Sequence, residues 1–228
     1  MMKTIIHVGQ HKTGTTSIQH YLQKHRENLI SAGLYVPDSL LGFANPSHFL
    51  LNVFALDSDR DSTAKIQLRK TVSESFMAQI PDRLQQDVAH HYREARRLGC
   101  RDILWTNEGL YLLNSLEEYQ RLLGLFAPFS ETTQCICVFR DKESYRASYM
   151  RQLDSLGLPL STDPGSYRYL EPDSWLLDYK KKKALLETVF DKTSFPDYNR
   201  EDMIKPFMGI LGYEMDAGTE TMRLNTSL

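Results

Sequence analysis

The period of the apolar residues changes several times along the chain, and each change marks an element. Residues 4–8 form a short β-rich run that ends at Gly9. From 15 to about 32, Ile18, Tyr21, Leu22, Leu29 and Ile30 fall on one helical stripe, and Gly33 follows as a stop. Strand, glycine turn and helix are the opening of a βαβ unit. Residues 38–61 are mixed, with loop chemistry at Asn45-Pro46-Ser47 and an apolar run over 49–56. Pro81 predicts the start of a helix over 82–98, whose last turn carries Arg96 and Arg97 and which stops at Gly99. Buried strands are predicted over 101–106 and 134–139, with a helix over 116–126 between them. A polar turn at 140–143 leads into a helix ending near 156, and the proline-rich stretch 158–173 is a loop. Helices near 174–190 and 201–211 flank a short strand over 193–198. Strands alternating with helices predict an α/β fold: three α/β/α layers around a mostly parallel central sheet covered on both faces.

Composition narrows the classes of function. The 228 residues fit one domain, 1–228, long enough to bury a core without disulfide or metal staples. Twenty-seven basic against twenty-nine acidic residues give a net charge of −2, which argues against a bulk-electrostatic nucleic-acid or membrane binder. A local anion site can still sit inside a neutral total. Mean hydropathy is −0.42 and no apolar run approaches 18 residues, so neither a membrane-spanning helix nor stable membrane insertion is expected. The opening residues turn polar too soon for a signal peptide. Three cysteines cannot pair completely, and Cys135 and Cys137 sit two apart in an apolar run, which suggests a reduced, cytoplasmic setting.

The strongest local signal is Gly9-Gln10-His11-Lys12-Thr13-Gly14-Thr15-Thr16-Ser17, between the first strand and the first helix. Such a loop points successive backbone N–H groups at one place and adds the positive end of a helix dipole, which makes an anion cradle. Lys12 supplies a mobile full charge, and three hydroxyl residues follow Gly14. The loop is not a Walker A motif: the two glycines have that spacing, but Thr15 stands where the lysine belongs and the lysine has moved back to position 12. The third predicted strand ends in Arg140, a cation, rather than in a metal-binding carboxylate.

These residues resemble a known family. Gly9-x-x-Lys12-Thr13-Gly14-Thr15-Thr16-Ser17 is similar to the 5′-phosphosulfate loop of sulfotransferases that use 3′-phosphoadenosine 5′-phosphosulfate (PAPS). The family's second motif, an arginine ending a central strand with a serine eight positions later, is matched by Arg140 and Ser148. Lys142 stands where the family often has proline. Weaker likeness to bacterial and carbohydrate sulfotransferases covers 177–190, 204–212 and an Asn-x-Ser segment in 223–228; in such relatives more chain often follows. The resemblance implies a P-loop-like phosphosulfate-binding loop and sulfuryl transfer from PAPS, leaving PAP, to an acceptor hydroxyl on a carbohydrate or glycolipid. Lys12 would stabilise the leaving phosphate, Thr13, Gly14, Thr15, Thr16 and Ser17 would hold the 5′-phosphate and sulfonate, and Arg140 with Ser148 would grip the 3′-phosphate. Independently of family, arginine holds phosphate in a bidentate fork that lysine cannot match.

An acceptor hydroxyl also needs a base. Glu108, between Asn107 and Gly109 at the end of the second predicted strand, is the first candidate, and His48 is the second because histidine titrates in the useful range. Lys180–Lys183 reads as a solvated helix face. His90 and His91 are adjacent, so they cannot chelate one metal as an i, i+4 pair would, and His7 and His11 lack partners at zinc spacing; no metal is expected. A divergent P-loop kinase and a catalytically idle nucleotide-binding module stay open beside the leading expectation.

Overall fold

A computed structural model describes residues 2–44 and 47–213. Five strands form one parallel sheet: β1 (Met2–His7), β2 (Leu34–Tyr35), β5 (Asp102–Thr106), β6 (Ser130–Ile136) and β7 (Lys192–Ser194), in the spatial order β2-β5-β1-β6-β7. A separate antiparallel pair, β3 (Ser39–Leu40) and β4 (Phe43–Ala44), forms a small hairpin. The α/β expectation is met, with all five strands of the main sheet parallel.

The two-residue period of each strand distributes its side chains to opposite faces. Ile6, Val8, Ile103, Trp105, Cys135 and Cys137 enter one apolar cluster. Ile5, Leu104, Ile136 and Val138 enter the other. Helices α3 (Leu50–Ala55), α4 (Thr63–Thr71), α5 (Glu74–Arg97), α6 (Leu116–Gly124), α7 (Lys142–Ser155) and α8 (Tyr179–Val189) pack against the first cluster. Helices α1 (Thr15–Lys24), α2 (Arg26–Ser31) and α9 (Ile204–Leu211) cover the second. Cys135 and Cys137 therefore lie side by side on one face as free, buried thiols, and Cys100 is free as well. Among the described residues no helix is long and apolar enough to cross a membrane.

Several boundaries differ from the sequence expectation, each for a local reason. The helix expected over 15–32 is broken at His25, whose φ of −104° and ψ of 18° leave the helical region; Ile18, Leu22 and Leu29 still share one apolar face, so the stripe runs through the break. Pro81 does not start its helix but lies inside α5, which begins where the Ser73 hydroxyl accepts the Phe76 N–H. Proline suits a first helical turn, yet a serine cap with Glu74 behind it outweighs that preference here. The strand expected over 134–139 starts earlier, at Ser130, and its last residues run on as extended chain bridged to Asp197 by Phe139.

The lysine run also departs from expectation. Lys182 is buried, donates from Nζ to the Tyr111 and Leu113 carbonyls, and lies over the rings of Tyr111, Tyr119 and Trp175. A long apolar stem and a cationic head let a lysine fill such an aromatic box. The segment 223–228 that carries the Asn-x-Ser likeness lies outside the described residues, as does Asn45-Pro46.

Candidate active site

The chain leaves β1 toward β5 and β2 on one side of the sheet, and β6 and β7 lie on the other. The topological switch point is therefore between β1 and β6, and in open parallel sheets ligands bind in the crevice outside the carboxyl ends of the strands at that point. The glycine loop follows β1, and Arg140 follows β6.

The loop has two left-handed residues, Lys12 at φ 66° and Gly14 at φ 80°. Positive φ is costly for lysine, about 1–3 kcal/mol, and such strain clusters at functional sites. It curls the backbone around Thr13, the kind of turn that gathers amide groups into a concavity suited to an anion. Gly9 is required by contact: a Cβ there would lie 2.2 Å from Thr15 Cγ2. The loop is stapled by Thr13, whose hydroxyl donates to the Gln10 carbonyl at 2.6 Å. That hydroxyl is engaged within the protein, so Thr13 offers a ligand its backbone N–H.

Helix α1 starts at Thr15 with no side-chain cap and no acidic residue in its first turn. By contrast α4, α5, α6, α7 and α8 are each capped by a serine or aspartate side chain. The uncapped amides of α1 face the loop that carries Lys12. An anion would complete this helix end both by hydrogen bonding and by meeting its dipole.

Arg140 is drawn to the same loop. Its Nη1 donates to the Lys12 carbonyl at 3.1 Å, its Nε donates to Ser144 Oγ at 3.0 Å, and its guanidinium lies 5.2 Å from the centre of the Tyr198 ring. The hydroxyl that meets Arg140 within the protein is Ser144, one turn before Ser148; four residues apart, the two serines share a face of α7. Lys12, in contrast, makes no ion pair among the described residues. Gln10 joins the two loops from within: fully buried, it accepts the Arg140 N–H at Oε1 (2.9 Å) and donates from Nε2 to Tyr179 Oη (3.0 Å). No sequence pattern marks Gln10, because only the tertiary approach of β1 and β6 gives its amide two partners.

Beside the cradle lies a cleft of about 550 Å³. His11, Thr16, Gln19 and Glu108 line it, and Phe43 and Phe49 are among its apolar walls. Glu108 opens a 3₁₀ turn after β5, and its Oε2 accepts from Gln19 Nε2 at 2.9 Å. Gln19 in turn approaches Thr106 Oγ1 (3.4 Å), which lies 2.9 Å from His7 Nδ1. Glu108 is therefore held from behind by a line of buried polar groups running to the end of β1. Burial without a charged partner pushes the His7 imidazole down to about 3.

His48 is not brought to this cleft. It is 1% exposed, its Nδ1 accepts the Thr106 N–H at 2.9 Å, and its Nε2 donates to the Pro37 carbonyl at 3.0 Å. Its own N–H donates to the Thr106 carbonyl at 2.8 Å. Strand β2 pairs only with Asp102 and Ile103, so the far end of β5 has no strand on that side, and His48 stands in for one. With both ring nitrogens engaged and burial pushing its imidazole down to about 4, His48 is a structural residue. That geometry leaves His48 no free ring nitrogen with which to take a proton from a substrate.

No protein-family model matches the chain, and no curated protein is similar to it in sequence. Among solved structures, a sulfotransferase from Alicyclobacillus acidocaldarius is similar in fold, with a TM-score of 0.55 and 13% identity over 99% of this chain and 87% of that one. The sulfotransferase domain from the curacin biosynthetic pathway aligns over 95% of this chain and 76% of its own, with 14% identity and a TM-score of 0.49. With its parallel five-stranded sheet and the glycine loop after β1, the chain has a sulfotransferase fold.

Proposed function

We propose that the protein transfers a sulfuryl group from PAPS to an acceptor hydroxyl on a carbohydrate or glycolipid. The observation that carries this reading is the meeting of Lys12 and Arg140 at the switch point, on a loop whose helix end lacks a cap of its own. The residues fit a nucleotide that bears two anionic groups. The loop amides of Thr13 to Ser17 hold the 5′-phosphate and sulfonate, with hydroxyls of the α1 first turn beside them, while Arg140, with Ser144 and Ser148 on one face of α7, holds the 3′-phosphate. Lys12 meets the charge that grows on the bridging oxygen as the S–O bond to phosphate breaks. Such a reaction asks little covalent chemistry of the protein, so orientation and charge stabilisation dominate.

The acceptor enters by the neighbouring cleft. Its walls combine Phe43 and Phe49 with the neutral amides and hydroxyls of Asn52, Thr63, Gln67 and Gln152, and no lysine or arginine is among its described lining residues. Aromatic faces and uncharged hydrogen-bonding groups suit a neutral saccharide or glycolipid headgroup. Glu108 is the one carboxylate among these lining residues, and the acceptor hydroxyl loses its proton on this side.

Thermal shift in EDTA tests donor recognition. PAP at 100 times its dissociation constant should add about 2.7 kcal/mol of stability. Transfer of ³⁵S from labelled PAPS to a panel of neutral glycosides should follow. A shift produced only by ATP with Mg²⁺ would establish the kinase reading instead, and PAP binding without transfer to any acceptor would mark an idle module.

The loop geometry gives a second test. Gly9→Ala places its methyl against Thr15 Cγ2 and should lower turnover on the order of 10²-fold by displacing the cradle. Gly9→Ala/Thr15→Ser removes the opposing methyl and should recover most of the loss. Equal defects in both variants would show that this contact does not shape the cradle.

A further inference from the structure

We propose that His11, rather than Glu108, receives the proton of the acceptor hydroxyl, and that Glu108 holds the imidazolium so formed. This rests on the sulfuryl-transfer reading above and names a further residue for it.

Three observations converge on His11. It lines the acceptor cleft together with Glu108. Lys12, the next residue, does not line that cleft, so the strained turn sends the two side chains in different directions. In-line displacement needs this division, with a base on the acceptor side and a cation on the leaving-group side. Finally, His11 Nδ1 is buried with no hydrogen-bond partner among the described residues, while the residue as a whole is only partly covered. With Nδ1 enclosed, Nε2 is the nitrogen left to face the cleft. The ring is backed by Tyr149 of α7, 5.0 Å between centres, which limits its orientation. No other histidine combines these features: His48 has both nitrogens engaged, and His20 lines the cleft from an exposed position on α1.

The charged and titratable groups facing His11 are Lys12 on its own loop, Glu108 after β5, Tyr149 on α7 and His20 on the cleft wall. Burial and the Lys12 charge favour the neutral imidazole, and Glu108 opposes them. At neutral pH His11 is therefore in the form that can accept a proton, and Glu108 stabilises the charge once it arrives. The carboxylate itself is already engaged by Gln19. In the step, the acceptor oxygen forms its bond to sulfur while the bond from sulfur to the bridging oxygen breaks. The electron pair leaves on the phosphate of PAP beside Lys12, and the acceptor proton passes to His11 Nε2 and then to solvent.

Three measurements test the proposal. His11→Gln should lower kcat at least 10²-fold on the best glycoside of the panel, with PAP affinity within threefold of wild type. In the wild type, kcat/KM should rise with pH along a limb below pH 6.5, and His11→Gln should abolish that limb. Separately, ¹⁵N imidazole shifts should place the His11 midpoint below the usual histidine value, and Glu108→Gln should move it lower still. A near-wild-type rate for His11→Gln, or survival of the limb in that variant, overturns the proposal. So does a His11 midpoint indifferent to Glu108→Gln, a readout that needs neither donor nor acceptor. If wild-type protein fails to bind PAP, or binds it without transfer, the sulfuryl-transfer reading itself fails and the proton-acceptor role falls with it.

Discussion

Replacing Lys12 with methionine is expected to lower sulfuryl-transfer turnover by about 10³-fold, with a much smaller loss of PAP affinity. One preorganised donor to a developing oxyanion is worth about 10²–10³ in kcat, and a full charge in a water-poor site reaches the upper end. Arg140 is committed to the Lys12 carbonyl and Ser144, whereas the Lys12 ammonium makes no ion pair among the described residues and is available to the leaving group. Methionine keeps much of the side chain's length and faces the same left-handed backbone at φ 66°, so the loop should survive the change. Lys12→Arg restores the charge with different geometry and should recover part of the rate. The check is kcat from ³⁵S transfer beside the PAP dissociation constant by calorimetry. A kcat within threefold of wild type would remove Lys12 from the charge-stabilising role.

The second large effect concerns stability in mild acid. His7 and His48 are buried as neutral rings, with values pushed down to about 3 and about 4. Both folded values lie below the unfolded value near 6.5, so the unfolded chain binds more protons and stability falls as the pH drops. The full contribution is present above pH 6.5, and each unit below it costs about 1.4 kcal/mol per histidine until the folded value is reached. By pH 4.5 the two together cost about 5 kcal/mol, a large share of the 5–15 kcal/mol typical of a folded domain. Urea denaturation at pH 7.0, 5.5 and 4.5 should show this slope. His48→Asn keeps an acceptor near the Thr106 N–H, lowers stability at pH 7, and should remove about one proton from the dependence. Stability that stays level from pH 6.5 to 4.5 would mean that these rings are not held neutral.

The parts of the site legible in the sequence are those whose chemistry is local. The glycine loop could be recognised because consecutive amides, one lysine and a helix start all fall within nine residues. Arg140 was legible as a cation where the apolar run of a predicted strand ends. The bond from Arg140 to Ser144 was not legible: positions 144 and 148 sit one helical turn apart on the same face, and side-chain reach decides which meets the guanidinium. His48 misled for the opposite reason. A histidine in a polar loop reads as available, and only the shortness of β2 shows why both its nitrogens are spent on backbone. Lys182 makes the same point, since an unbroken run of four lysines gives no sign that one turns inward to two carbonyls and three aromatic rings.

By itself, then, the order of apolar and polar residues determined the alternation of strands and helices, the parallel sheet with two covered faces, and the glycine loop between β1 and α1. These depend on period, turn chemistry and helix dipole, which act over a few residues. Tertiary structure alone decided the strand order that places the switch point between β1 and β6, the Gln10 bridge between their loops, and the cleft shared by His11 and Glu108. Residues 11 and 108 lie almost a hundred positions apart, and they reach one cleft only once β1 and β5 pair in register, His7 opposite Thr106. Which histidine lines the cleft and which one caps a sheet edge depends on where the chain leaves backbone groups unpaired, and that is a property of the assembled sheet.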